Sequence, residues 1–131
     1  MLHPSKFAVN EAWIVFKLND APISAGTDGD FNFFALMDAA SCFILSTATL
    51  AASTSELSQL EAKRLLKKGQ SHKKQLPKSL FIPHALLAAQ LAAEAKRQNI
   101  DVQRIAETEL EAFIGEAKET FKERFSGGST Q

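Results

Sequence analysis

Four apolar residues follow one another without interruption at Cys42, Phe43, Ile44 and Leu45. A strand with one wet face alternates apolar with polar residues, so an unbroken run predicts a strand covered on both faces. Helices must supply that cover. With 131 residues, 45% hydrophobic and 23% charged, the chain is excluded from global disorder and fits one α/β domain. A domain of this length buries roughly two thirds of the surface its unfolded chain would expose, enough for a core without staples.

The order of elements follows from punctuation. Residues 12–18 read as a first strand, rich in β-branched and aromatic side chains and closed by Asn19, Asp20 and Pro22. The loop 21–30 carries Gly26 and Gly29, and its Asp28 and Asp30 lack the further oxygen ligands of a calcium loop. Residues 31–37 and 42–50 flank the short link 38–41 and read as a hairpin. Ser53 and Glu56 have the spacing of a capping box, which predicts a helix over about 55–68 with Leu57, Leu60, Ala62 and Leu65 inward. Gly69 suits the left-handed residue that would end it, leaving 70–78 as a basic, polar loop.

Residues 80–82 form a short strand stopped by Pro83, and an alanine-rich helix is predicted over 84–98, closed by Asn99. Residues 100–106 make a more polar strand suited to a sheet edge. Thr108 and Glu111 repeat the capping-box spacing before a stripe of Leu110, Phe113, Ile114, Ala117, Phe121 and Phe125 at helical intervals. The expected organisation is a single domain over 1–125 and a flexible tail over 126–131, with Gly127 and Gly128 in the tail.

Lys plus Arg equals Asp plus Glu at 15 each, so no whole-molecule field steers the chain to nucleic acid or to an anionic membrane. The single cysteine excludes an internal disulfide and an all-cysteine zinc site. The stretch 31–52 is too polar for a lipid span, with Asn32, Asp38, Ser41, Ser46, Thr47 and Thr49 inside it. No basic start precedes a long apolar run, so export is not expected and a cytoplasmic location is.

Strand, strand, strand, helix, strand, helix, strand, helix gives a mixed sheet of five strands, an antiparallel meander extended by parallel strands across helical crossovers. This order resembles the ribonuclease H-like fold of ribonuclease H, retroviral integrases and transposase cores. The likeness spans about 12–125, and Phe34 to Ser46 (FALMDAASCFILS) is similar to the second and third strands of transposase cores, where an aspartate and a serine flank the turn. The resemblance implies a nuclease in which carboxylates hold two divalent ions, one acid within the first strand, one at or just after the fourth, and one on the last helix. Here the first strand has no acid and Asp20 lies beyond its end, while the fourth ends in Phe81, Ile82, Pro83 and His84. Glu109, Glu111 and Glu116 stand on the last helix, where acids near a start also complement the dipole. A degenerate metal site using Asp20 with one of those glutamates is therefore the alternative, and a scaffold with no catalytic or metal-ligating set is the main expectation.

Lys63, Arg64, Lys67, Lys68, Lys73, Lys74 and Lys78 place seven of the 15 basic residues in one stretch without an acid. They form a candidate phosphate-binding patch for nucleic acid, or else a solvated helix end. No aromatic residue interrupts 58–79, so the stretch itself offers nothing for base stacking. Between Asp101 and Glu123 seven acids oppose three bases, which allows self-association by charge. Asn19, Asp20 and His84 are a candidate polar cleft at strand ends, without an elbow-type nucleophile beside them. Cys42 reads as a small core residue, and no glycine-rich phosphate loop implies a cofactor. These features point to a non-catalytic binding or accessory module with a protein partner, nucleic acid through 63–78, or a second copy of itself as in a structural homodimer.

Overall fold

The computed structural model describes residues 2–24 and 26–129, apart from the side chains of 28 and 125–129; of the flexible tail expected over 126–131, the backbone of 126–129 belongs to the last helix, and 130–131 lie outside the described residues. Six strands, β1 (Ala12–Lys17), β2 (Ile23–Ser24), β3 (Asp30–Asp38), β4 (Ile44–Ala51), β5 (Ser79–Pro83) and β6 (Asp101–Ile105), form one mixed sheet with three helices, α1 (Gln59–Lys73), α2 (Ala89–Arg97) and α3 (Glu111–Ser129). β3 pairs antiparallel with β1, β2 and β4, whereas β1 with β5 and β5 with β6 are parallel. β1 and β4 both lie along residues 34–37 of β3, so they occupy its opposite edges. The two-residue β2, absent from the five-strand expectation, continues the line of β1. β4 and β6 are therefore the outer strands.

Helices cover both faces, as an apolar sheet requires. On one face Trp13, Val15, Leu36, Leu80 and Ile82 pack with Leu65 and Leu66 of α1 and Leu91 and Ala95 of α2. On the other, Ile14, Phe16, Met37 and Phe81 pack with Phe113 and Ile114 of α3. The doubly covered strands are β1, β5 and the 34–38 half of β3, while the run over 42–45 that led to this expectation is not one of them. Cys42 (φ 58°) and Phe43 belong to the turn, closed by Cys42 N–H on Asp38 O at 2.8 Å and Asp38 N–H on Phe43 O at 2.9 Å, and Phe43 is 51% exposed. Leu45 is the extra residue of a bulge, because Leu36 pairs with Ser46 and Met37 with Ile44.

α1 starts later than expected. Its capping box is Ser58 with Glu61, and its left-handed end is Lys74 (φ 67°). Gly69 lies buried inside the helix, and a Cβ there would sit 2.9 Å from Leu36 and 3.0 Å from the Trp13 ring. Residues 70–73, expected as loop, are thus helical. α2 begins at Ala89 because 84–88 form a turn gripped by Arg104, whose guanidinium donates to Pro83 O and Leu86 O. Ala88 brings no side-chain cap, and Glu56 from the preceding loop accepts from Gln90 N–H at 3.0 Å instead. Asn99 (φ 63°) follows α2 in the left-handed conformation, as its sequence position predicts. α3 is entered through a short 3-10 turn, Glu107–Leu110, whose cap residue Ala106 supplies no side-chain bond.

Candidate functional site

Parallel pairing brings the carboxyl ends of β1 and β5 to the same end of the sheet, where α3 passes beside them. A cavity of about 220 Å³ opens there, lined by Phe16, Lys17, Asp20, Pro83, Glu107 and Lys118 among others. These are the places the ribonuclease H-like resemblance assigns to acids, and the strand positions carry Phe16, Lys17 and Pro83. The two carboxylates present come from outside the regular elements, Asp20 after β1 and Glu107 before α3. Between them stands Lys118, whose Nζ lies 2.8 Å from Asp20 Oδ1 and 3.2 Å from Glu107 Oε1. The hydrogen bond and charge of Lys118 hold the Asp20 carboxyl below its usual range. Burial pulls the Lys118 ammonium down, but the hydrogen bonds it donates to Asp20 and Glu107, with their charges, outweigh it and set it above the ordinary lysine value.

The glutamates of the last helix do not converge on Asp20. Glu109 accepts from Leu2 N–H at 3.3 Å, Glu111 is exposed, and Glu116 lines a different groove. Among the described residues, no cluster of three or more His, Cys, Asp and Glu is placed to hold a metal. Asn19 is buried and structural: its amide donates to Ala21 O and Asn32 Oδ1, and its oxygen accepts from Phe33 N–H at 2.8 Å. His84 turns to the β6 edge, with Nε2 3.0 Å from Arg104 O. No hydrogen bond joins Asn19, Asp20 and His84 into one cleft among the described residues. Glu107 and Lys118 are the cleft residues the sequence reading missed. Glu107 lies in the 3-10 turn before α3, so no regular helical spacing joins it to Lys118, and nothing local in the sequence marks the pair.

The basic stretch is mostly one helix face. Ala62, Leu65, Leu66 and Gly69 are buried, which turns Lys63, Arg64, Lys67 and Lys68 outward, with Lys74 and Lys78 exposed beyond and Lys73 half-buried. None of the seven has a carboxylate within 4.0 Å among the described residues. The fold adds an aromatic neighbour that the linear stretch lacks: Phe43 stacks on His72 with ring centroids 5.0 Å apart and planes 15° apart.

On the opposite face of the sheet, α3 leaves part of β3 and β4 uncovered, and a groove of about 770 Å³ runs there over Phe33, Met37, Ile44, Phe113 and Phe121, with Glu116 and Arg124 at its rim. Cys42 also borders it, half-buried. Desolvation, with Asp38 and Glu116 nearby, pushes its thiol up, which disfavours the nucleophilic thiolate. Asp38 is fully buried and accepts from Asn10 N–H at 2.6 Å, Ser41 N–H at 3.0 Å and Ser41 Oγ at 2.7 Å. That network ties the turn to the segment before β1, at the end of the sheet away from the Lys118 cleft.

No helix among the described residues is long and apolar enough to cross a membrane. No family model and no curated protein matches the chain. Among solved structures, it is similar to a chain in the cryoEM structure of the simian T-cell lymphotropic virus intasome in complex with PP2A regulatory subunit B56 gamma, with a TM-score of 0.55 and 14% identity. The match covers 100% of this chain and 45% of that one, so this chain spans less than half the length of its structural neighbour. Such a likeness concerns the fold alone, and it supports a ribonuclease H-like fold.

Proposed function

We propose that the chain is a non-catalytic binding module on a ribonuclease H-like scaffold, and that it meets an anionic partner with the outer face of α1. The observation that carries the reading is that face: Lys63, Arg64, Lys67 and Lys68 stand exposed on one helix, with no carboxylate within 4.0 Å among the described residues. Clustered cations of this kind attract a polyanion and release its counterions on contact. The cleft supports the non-catalytic half. An ammonium held between Asp20 and Glu107 competes for their charge with any divalent cation, while Glu109 is bonded to Leu2 N–H and Glu116 lines a different groove. The reading places the module in the cytoplasm, where one unpaired cysteine is ordinary.

Binding of fluorescently labelled polyglutamate and of oligothymidylate, at about 50 mM and about 200 mM salt, tests the reading. Affinity for at least one polymer is expected to fall with salt and to be lost in the Lys63→Glu, Lys67→Glu double variant. Affinity unmoved by salt, or hydrolysis of a phosphodiester that a chelator stops, would overturn it.

A further inference from the structure

The outer edge of β4 is open. Phe33 turns its backbone toward β1, its C=O accepting from Leu18 N–H at 2.8 Å and its N–H donating to Asn19. Alternation along an antiparallel ladder then points Asn32, Phe34 and Leu36 at β4, where they pair with Leu50, Ala48 and Ser46. Thr47 and Thr49 are left with N–H and C=O directed away from the sheet, and among the described residues no group meets their N–H. Natural edges are blunted by charge, proline, shortness or a bulge. β4 has eight residues, ILSTATLA, with no charge and no proline, and its bulge at Leu45 leaves 46–51 regular.

The two sides of this edge differ in chemistry. On the α1 side, His72 reaches Phe43 at the head of β4, and Arg64 and Lys68 precede it at four-residue intervals, so a cationic row flanks the edge. On the α3 side, Thr47 borders the apolar groove over Phe33, Ile44 and Phe121. A strand added to β4 alternates its own side chains between those two surroundings.

We infer that β4 receives an extended segment of a partner protein, added as a further strand, with acidic side chains at every second position facing Arg64 and Lys68 and apolar ones facing the groove. This rests on the anionic-partner reading and names the partner's chemistry. Charge complementarity selects the occupant. A second copy paired through β4 about a two-fold axis would set two basic α1 helices side by side. Nucleic acid has no repeating N–H and C=O groups to match Thr47 and Thr49.

The probe is an end-blocked nine-residue peptide alternating glutamate and valine, followed by amide hydrogen exchange and binding titration. The Thr47 and Thr49 amides are expected to exchange freely in the chain alone and to be protected with peptide. Thr49→Pro keeps the β3 ladder, since the lost N–H faces solvent, and should weaken binding roughly tenfold, as should the Arg64→Glu, Lys68→Glu double variant. A melt of each variant confirms folding, and Thr47→Pro repeats the test at the neighbouring outward position. Peptide binding that ignores these variants, or a β4 edge protected by concentration-dependent dimerisation of the chain alone, would overturn the inference. If the peptide fails while oligothymidylate binds in a salt-sensitive manner, the added strand is wrong and the anionic-partner reading survives. If neither that peptide nor either polymer binds, both fall.

Discussion

Trp13 decides the identity of its neighbours. Its indole N–H donates to Asn10 Oδ1 at 2.7 Å, and Asn10 in turn gives its amide to Gln75 O and Leu76 O, so the ring is pinned and cannot swing aside. α1 crosses this ring at Gly69, where a Cβ would stand 3.0 Å from two ring carbons and 2.9 Å from Leu36 Cδ2. Alanine would improve helix propensity by about 1 kcal/mol. Overpacking a rigid core typically costs about 1 to 3 kcal/mol, and the hydrogen-bonded ring puts this site toward the upper part of that range. Gly69→Ala should therefore lower stability by about 1 kcal/mol net, read as a lower urea midpoint with unchanged slope. An increase in stability would mean that Leu36 and Trp13 give way.

Two helix starts with identical local grammar separate what the sequence reveals from what only the fold decides. Ser53 with Glu56 and Ser58 with Glu61 are both capping boxes on paper, and the second is the one that forms. Glu56 is diverted to Gln90, 34 residues away, where it caps α2, and no local pattern carries that information. Ser58→Ala should cost about 1 kcal/mol in thermal or urea unfolding, whereas Ser53→Ala should stay within about 0.5 kcal/mol. Reversed sensitivities would place the helix start where the spacing first put it. Strands β1, β3, β5 and β6 were legible because apolar runs and turn residues are local signals. The Lys118 cleft was not, since Asp20 and Lys118 meet across the whole chain through the parallel pairing of β1 with β5. The basic face was legible as composition, but its stacked Phe43 and its place beside an open edge depend on the turn over 39–43.

Over the whole molecule the charges sum to zero yet are sorted, with cations on α1 and acids concentrated toward the other end of the chain. Lys118 stands among those acids and joins the loop after β1 to the start of α3. Its contribution has a definite pH window. Asp20 is held below its usual range, so its share of stability is present above its unfolded value of about 3.9 and is lost as pH falls through the lower folded value. Lys118 is raised, so its share is present below about 10.4 and is lost as pH rises through the higher folded value. Asp20 is 83% exposed at its side chain, so solvent screening keeps the interaction small, under about 1 kcal/mol. Lys118→Met removes both shares at once. The difference in urea midpoint between the native chain and this variant should be steady from about pH 5 to about pH 9 and shrink toward both extremes. A difference that persists undiminished at about pH 2 would show that Lys118 acts through the packing of its aliphatic stem, and the cleft would then owe its shape to contact rather than charge.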